Sequence, residues 1–185
     1  MDLKVGETLG DYEILGLLGS GGMGKVYKVR NLHSQRIEAI KVLRPELSAD
    51  PELADRFLRE IRVSAALDHP NIASLRTAQR IGDQLLMLME YIDGCTLGEL
   101  IANQRPPLQC SVEYISQALK ALTYAHDHGI VHRDIKPGNI MIAADSVVKL
   151  MDFGVAKFAN DNKLTKTGVL VGSPFYMSPE QIQGG

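Results

Sequence analysis

The first part of the chain alternates short apolar segments with turn residues, and this pattern predicts antiparallel strands. The segments YEILGLLGSG and GKVYKVRN flank a glycine-rich turn, and RIEAIKVL follows after the polar LHSQ. Short apolar or β-branched segments bounded by turn residues are typical of a β-meander. Further along, NIASLRTAQRIGDQLLMLMEYI reads as two more strands joined at Gly82-Asp83. We therefore expect a sheet here.

Between these strands the apolar spacing changes to that of an amphipathic helix. Asp50 and Pro51 give a helix start signal, as the N-cap and first helical residues, and the helix should end before His69-Pro70. The apolar face is predicted to consist of Leu53, Phe57, Ile61 and Ala65. One helix should therefore accompany the sheet.

The remainder of the chain has a mainly helical pattern, with a boundary expected near 92–96. The segment TLGELIANQ predicts a short helix, RPP breaks it, and SVEYISQALKALTYAHDHG predicts a long helix that ends at Gly129. The buried stripe of the long helix is expected to contain Ile115, Leu119, Leu122 and Ala125. NIMIAA and VVKLMDF predict a hairpin around Asp145. We assign residues 1–92 and 93–185 to two separate lobes.

Composition narrows the class of protein. The 185 residues are 45% hydrophobic and 23% charged, with a net charge of −2, which is typical of a globular protein and makes nucleic acid a poor partner. The longest apolar segment, LLMLM, is too short to span a bilayer, and the first residues do not resemble a signal peptide. Cys95 and Cys110 suggest free thiols in a reducing compartment. A cytoplasmic location is expected.

The glycine-rich turn GSGGMGKV places glycines at positions 19, 21 and 24, followed by Val26. Glycines let a backbone approach phosphate oxygens and adopt angles closed to other residues. Dinucleotide-binding folds use the same spacing, but there the third glycine opens a helix, whereas KVYKV alternates like a strand. A tight hairpin turn without a ligand remains the alternative.

Lys41 lies within the apolar strand segment EAIKV, so its charge needs a partner. Glu60 stands beside the apolar stripe of the predicted helix and could face the sheet. A Lys41–Glu60 ion pair would hold the lysine toward a phosphate. The alternative is two ordinary surface charges.

The segment IVHRDIKPGNIMI gathers Asp134, Lys136 and Asn139 directly before a predicted strand. A carboxylate can accept a hydroxyl proton, an ammonium can balance phosphate charge, and an amide oxygen can hold a metal. Asp152 follows the next strand, and two oxygen ligands from adjacent strand ends suit Mg²⁺. The alternatives are a charged surface loop and, for Asp152, a common strand-to-turn aspartate.

Taken together and in this order, these segments resemble the signature motifs of protein kinases. GSGGMGKVYKV and YMSPEQIQG are most similar to the eukaryotic-like serine/threonine kinases of bacteria, and the resemblance extends from Tyr12 to Gly184. It implies an α+β, two-lobed kinase fold. The N-lobe would be an antiparallel sheet with one helix, and the C-lobe would be mainly helical and incomplete.

The resemblance also implies roles for individual residues, with ATP and Mg²⁺ as the ligands. Asp134 would be the catalytic base, Lys136 would steady the γ-phosphate, and Asn139 and Asp152 would bind Mg²⁺. Met89 falls at the gatekeeper position. The expected nucleotide-binding residues are Gly19, Ser20, Gly21, Gly24, Val26, Ala39, Lys41, Glu60, Met89, Glu90, Ile92 and Met141.

Activation-loop phosphorylation is expected at Thr165 or Thr167, which lie between the Asp-Phe-Gly and Pro-Glu motifs. The phosphate would pair with a basic pocket of Arg133, Lys157 and Arg56 and thereby order the loop. The partners implied are proteins with Ser or Thr acceptors, together with a second copy of the kinase for autophosphorylation in trans.

In this family further helices follow the Pro-Glu motif, so we expect an uncovered apolar surface on helix 111–128 and weak activity of the chain by itself. Similar bacterial kinases often continue into a linker, a membrane span and a sensor domain. Two other functions stay open: a nucleotide-binding scaffold that does no chemistry, and a kinase-like phosphotransferase acting on a small molecule.

Overall fold

The computed structural model describes residues 3–21, 24–43, 51–82, 84–153 and 174–182, with only the backbone described at 51–56, 174 and 182. The chain divides into two compact units, Met1–Asp93 and Gly94–Gly185.

The first unit is built on an antiparallel sheet whose strand order is β1-β2-β3-β4-β6-β5. The strands are β1 (Thr8–Leu9), β2 (Tyr12–Ser20), β3 (Gly24–Asn31), β4 (Ile37–Leu43), β5 (Leu75–Ile81) and β6 (Gln84–Glu90). This confirms the predicted sheet of five strands. The additional strand, β1, has only two residues and is too short to leave an alternating pattern.

The two faces of this sheet pack differently because neighbouring residues of a strand point to opposite sides. One face buries the core residues Tyr27, Val29, Ile40, Val42, Leu86 and Leu88. On the other face, helix α1 (Pro51–Ala65) packs through Phe57 against Leu43 and Met87. Phe57 is buried and Ile61 partly buried as predicted, but Ala65 is exposed, because its place is in the last turn of the helix.

The second unit combines a small sheet with two helices and several short elements. Its elements are β7 (Gly94–Thr96), α2 (Leu97–Asn103), α3 (Leu108–Asp127), a 3₁₀ turn (Pro137–Asn139), β8 (Ile140–Ala143), β9 (Val148–Leu150), a second 3₁₀ turn (Pro174–Tyr176) and α4 (Pro179–Ile182). The strand order is β7-β8-β9. The predicted β8–β9 hairpin is confirmed, whereas β7 was not anticipated. At the start of β7, a Cβ on Gly94 would lie 2.1 Å from the carbonyl oxygen of Ile142, so the backbones approach more closely than a side chain allows.

Helix α3 matches the predicted stripe only in part: Ala125 is buried and Leu122 partly buried, as predicted, but Ile115 and Leu119 are exposed. Its buried residues are Ala118, Ala121 and Ala125, while Ile115 and Leu119 are 48% and 57% exposed. Alanines let the helix lie close to β9, and the Gln117 side chain bonds to the backbone of the hairpin. Together with Val112, the exposed pair forms an uncovered apolar surface, as expected.

In the part of the chain that the structure describes, none of the helices is long and apolar enough to cross a membrane. Both cysteines are free thiols, in agreement with the sequence.

Candidate active site

The glycine-rich turn joins β2 to β3 and is closed by a backbone hydrogen bond from Gly21 N to Gly24 O of 2.9 Å. None of Gly19, Gly21 and Gly24 has a positive φ. Gly24 is instead required by close packing, because a Cβ there would lie 2.1 Å from Val42 O. Open space surrounds the Cβ positions of Gly19 and Gly21, and Ser20 is exposed. That space leaves room for a ligand along the turn.

Lys41 and Glu60 form the ion pair that the sequence predicts. The distance from Lys41 Nζ to Glu60 Oε1 is 2.5 Å, and the two side chains are only 12% and 7% exposed. Helix α1 brings the carboxylate there because Phe57, one turn earlier, anchors it in the core beneath the sheet. A buried ammonium held by a carboxylate has a fixed position, which suits it to contact a phosphate.

The register of the sheet gathers the other expected adenine contacts on the face that carries Lys41. Val26 pairs with Lys41, and Ala39 pairs with Met89 across β4 and β6. Directly opposed residues of antiparallel strands point to the same side, and so do alternate residues of one strand. Val26, Ala39, Lys41 and Met89 therefore share one face. Met89 also packs against the Phe57 core.

The segment that leaves β6 is held to the segment that precedes β5. Glu90 donates its backbone N–H to Ser74 O at 3.0 Å, and the Ser74 N–H donates to the Glu90 carboxylate at 2.9 Å. The Glu90 N–H and carboxylate are therefore both engaged with Ser74. Ile92 follows two residues later and is partly buried.

In the second unit the expected catalytic residues converge within the Asp134 loop, residues 132–139. Lys136 Nζ lies 2.7 Å from Asp134 Oδ2, and Asn139 Nδ2 donates both to the same oxygen at 2.9 Å and to the Asp134 carbonyl at 2.8 Å. Asn139 is buried, whereas the Asp134 carboxylate is 38% exposed. The carboxylate is thus held on one side while part of it stays accessible to a substrate hydroxyl.

His132 anchors the start of this loop. Its Nδ1 accepts the Asp134 N–H at 3.3 Å, so the ring proton is on Nε2, which donates to Met151 O at 2.9 Å. The ring is 1% exposed and stacks on Phe153 with centroids 4.6 Å apart. Burial lowers the pKa of His132 below its ordinary value, although the bond to Met151 opposes that shift. Through these two hydrogen bonds, the neutral ring connects the Asp134 loop to Met151, the residue after β9.

The two expected metal ligands lie at the same end of the β8–β9 hairpin. Ile140 pairs with Leu150, and Met151 N donates to the Asn139 carbonyl at 2.9 Å. Asp152 follows, exposed and with a φ of 50°, a left-handed conformation that aspartate tolerates better than most residues. Asn139 directs its amide nitrogen at Asp134, which leaves Oδ1 for a cation. An amide oxygen and a carboxylate fit Mg²⁺, which takes few protein ligands besides phosphates and water.

Met141, also expected at the nucleotide, lies in β8 and pairs with Thr96 and Lys149. Thr96 caps α2 through a capping box with Glu99: the Glu99 N–H donates to Thr96 Oγ1 at 3.1 Å, and the Thr96 N–H donates to the Glu99 carboxylate at 2.8 Å. The bonds that its carboxylate accepts from the Thr96 N–H and, at 3.0 Å, from the Thr96 hydroxyl lower the pKa of Glu99.

Sequence reasoning missed Gln181 in helix α4. The Ser178 N–H donates to Gln181 Oε1 at 3.0 Å, and the Gln181 N–H donates to Ser178 Oγ at 3.4 Å, which together form a capping box. Hydrogen bonds at this helix start lower the pKa of Glu180. The signature S-x-x-Q of a capping box would have revealed the pair.

The expected phosphorylation sites Thr165 and Thr167 lie outside the described residues, as do Lys157 and the side chain of Arg56. Only Arg133 of the expected basic pocket is described. Its φ is 64°.

Comparison with known proteins decides the family. The sequence profile of the protein kinase domain matches residues 12–185. The chain belongs to the protein kinase family. It is 41% identical over 179 residues to the serine/threonine-protein kinase PknB of Mycobacterium leprae, covering 94% of this chain and 29% of that protein. It is 39% identical to the probable serine/threonine-protein kinase PknB of Lactococcus lactis, covering 98% of this chain and 30% of the relative.

Solved kinase domains share the fold. Two crystal structures of the Mycobacterium tuberculosis PknI kinase domain match with TM-scores of 0.70 and 0.71 at 34% and 31% identity. The matches cover 84% and 92% of this chain and 64% and 70% of those domains. The expected protein-kinase fold is therefore confirmed. The chain spans less than a third of the length of its PknB relatives.

Proposed function

We propose that this chain carries the catalytic residues of an ATP-dependent serine/threonine protein kinase, which transfers the γ-phosphate to hydroxyl groups of proteins. The observation that carries the proposal is the cluster of Asp134, Lys136 and Asn139, in which one carboxylate oxygen receives both a cation and an amide donor. A scaffold without chemistry has no need of such a cluster.

We propose that the nucleotide bound by these residues is ATP. Lys41, fixed by Glu60, would contact the α- and β-phosphates. Gly19, Ser20, Gly21 and Gly24 would cover the phosphates, with backbone N–H groups as the donors. Val26, Ala39 and Met141 would enclose the adenine ring beside the gatekeeper Met89. The backbone of Glu90 and Ile92 would bond its edge.

Asp134 would accept the proton of the attacking hydroxyl, and Lys136 would balance charge on the γ-phosphate as it transfers. Asn139 and Asp152 would hold Mg²⁺, which when bound neutralises phosphate charge. Most of the rate gain would come from positioning and electrostatics, because the phosphoryl group needs little covalent help from protein.

The substrates, regulation and location complete the proposal. Kinase relatives named as serine/threonine-protein kinases support a protein acceptor. Phosphorylation of Thr165 or Thr167, by a second copy of the kinase acting in trans, would order the activation loop. Two free thiols agree with a cytoplasmic location.

Transfer of radioactive phosphate from ATP to a generic serine- and threonine-containing protein tests the proposal. Label should appear on Ser or Thr, require Mg²⁺, and disappear in the Asp152→Asn variant. The control Asp145→Asn alters an aspartate in the β8–β9 turn that bonds only locally, to Val147 N, and should keep full activity. Label that forms equally in both variants, or that forms on a sugar in preference to protein, would overturn the proposal.

A further inference from the structure

Gln181 has no role in the function proposed above, yet its side chain contacts the backbone directly before Asp134. Its Nε2 donates to the carbonyl oxygen of Arg133 at 2.8 Å, while its Oε1 accepts the Ser178 N–H at 3.0 Å. Both contacts lie within the second unit. One side chain therefore joins the start of α4 to the Asp134 loop.

These two bonds require an amide. An amide has a donor and an acceptor at the end of the same side chain, whereas a carboxylate has acceptors alone. A glutamate at position 181 could keep the bond from Ser178, but it would direct an anionic oxygen at the Arg133 carbonyl. The isosteric change Gln181→Glu therefore breaks the loop contact and spares the helix cap.

The contacted residue has an unusual backbone. Arg133 has a φ of 64°, in the left-handed region that residues other than glycine rarely occupy. Such a conformation persists only where the surrounding structure holds it, and it clusters at functional sites. The next residue is Asp134, so the orientation of the Arg133 peptide sets the direction in which the Asp134 side chain leaves the chain.

We propose that Gln181 is a positioning residue for phosphoryl transfer, which holds the Arg133 carbonyl and thereby the Asp134 carboxylate in a reactive orientation. The inference rests on the proposed kinase function. Loss of one hydrogen bond predicts a roughly 5- to 10-fold lower kcat, as an order of magnitude. The KM for ATP should stay the same, because the contact orients the base and does not bind the nucleotide.

Gln117 offers a matched control within the same unit. Its Nε2 donates to Ser146 O at 3.2 Å, and its Oε1 accepts the Val148 N–H at 2.9 Å. This amide also bridges two backbone groups, but at the β8–β9 turn instead of the Asp134 loop. Gln117→Glu therefore imposes the same chemical change and a similar loss of stability away from the proposed catalytic residues.

The experiment compares the unsubstituted chain, Gln181→Glu and Gln117→Glu by steady-state kinetics and by amide hydrogen exchange of residues 131–136. We expect Gln181→Glu alone to lower kcat at unchanged KM and to speed exchange in that segment. An unchanged kcat in Gln181→Glu, or equal losses in both variants, would overturn the inference.

The two proposals fail in different ways. If the unsubstituted chain transfers no phosphate, the proposed function fails. The amide hydrogen exchange of residues 131–136 is then the measurement that tests whether Gln181 holds the Asp134 loop. Exchange that is unchanged in Gln181→Glu would then refute the positioning of the loop. Faster exchange confined to Gln181→Glu would support it.

Discussion

The buried Lys41–Glu60 ion pair gives the sharpest prediction about stability. Two unit charges 2.5 Å apart attract by about 7 kcal/mol at an effective dielectric constant of about 20, and desolvation offsets much of that attraction. Removing one partner leaves the other charge buried. We therefore expect Lys41→Met or Glu60→Leu to lower the free energy of unfolding by about 3–5 kcal/mol. Urea unfolding followed by circular dichroism measures the change.

The double variant Lys41→Met/Glu60→Leu separates the charge effect from packing. It removes both buried charges, so it should be more stable than either single variant. Arg30→Met is the control: it breaks a partly exposed pair with Glu13, whose atoms are 3.3 Å apart, and should cost less than about 1 kcal/mol. The reasoning would be refuted if the double variant lost as much free energy of unfolding as the two single variants together. It would also be refuted if Lys41→Met lost no more than Arg30→Met.

Three further predictions concern packing and pH. Gly24→Ala should destabilise the chain by about 1–3 kcal/mol in thermal unfolding, because the added Cβ would meet Val42 O; an unchanged melting temperature would contradict this. Because burial lowers the pKa of His132, the imidazole of the unfolded chain binds a proton at a higher pH than the imidazole of the folded chain does. The free energy of unfolding should therefore fall as the pH drops below about 6.5. In the His132→Phe variant, urea titrations across that range should no longer show the fall in the free energy of unfolding that is due to His132. A pH dependence identical to that of the unsubstituted chain would refute the attribution to this residue. Leu119→Gln should change the free energy of unfolding by less than about 0.5 kcal/mol because the side chain is 57% exposed. Ala121→Leu at a fully buried site should cost about 1–3 kcal/mol, and equal losses in these two variants would contradict the observed burial.

Features with a local or periodic signal could be predicted from the sequence. Strand alternation predicted the sheet. The charge of Lys41 within an apolar strand predicted a partner, and the position of Glu60 beside the apolar stripe of the predicted helix indicated which residue it is. The polar residues of the Asp134 loop lie within a few positions of one another, so their convergence needed little knowledge of tertiary structure.

The buried face of α3 could not be predicted in the same way. The helix has an alanine stripe and a stripe of larger apolar residues, and hydrophobic periodicity favours the larger ones. Close approach to β9 instead selects the small side chains of Ala118 and Ala121, beside the predicted Ala125. Tertiary packing therefore favours the alanines, whereas the hydrophobic pattern favours the larger apolar residues.

The role of Gly24 and the contact of Gln181 also depend on partners distant in sequence. Gly24 is needed because of the Val42 carbonyl on the next strand, and Gln181 reaches Arg133 across a long stretch of chain. A local motif contains each of these residues, but the contact that explains why a glycine or a glutamine is needed there is visible only in the folded chain.

The kcat of Asp134→Asn, measured together with its affinity for Mg·ATP, tests the central claim most directly. Our account predicts a loss of at least about 100-fold in phosphate transfer to Ser or Thr, since a general base contributes about 10²–10⁴-fold, with nucleotide affinity unchanged. The amide oxygen introduced by this substitution can still accept hydrogen bonds from Lys136 and Asn139, while the carboxylate that accepts the proton is lost. Transfer by Asp134→Asn at the rate of the unsubstituted chain would contradict the account.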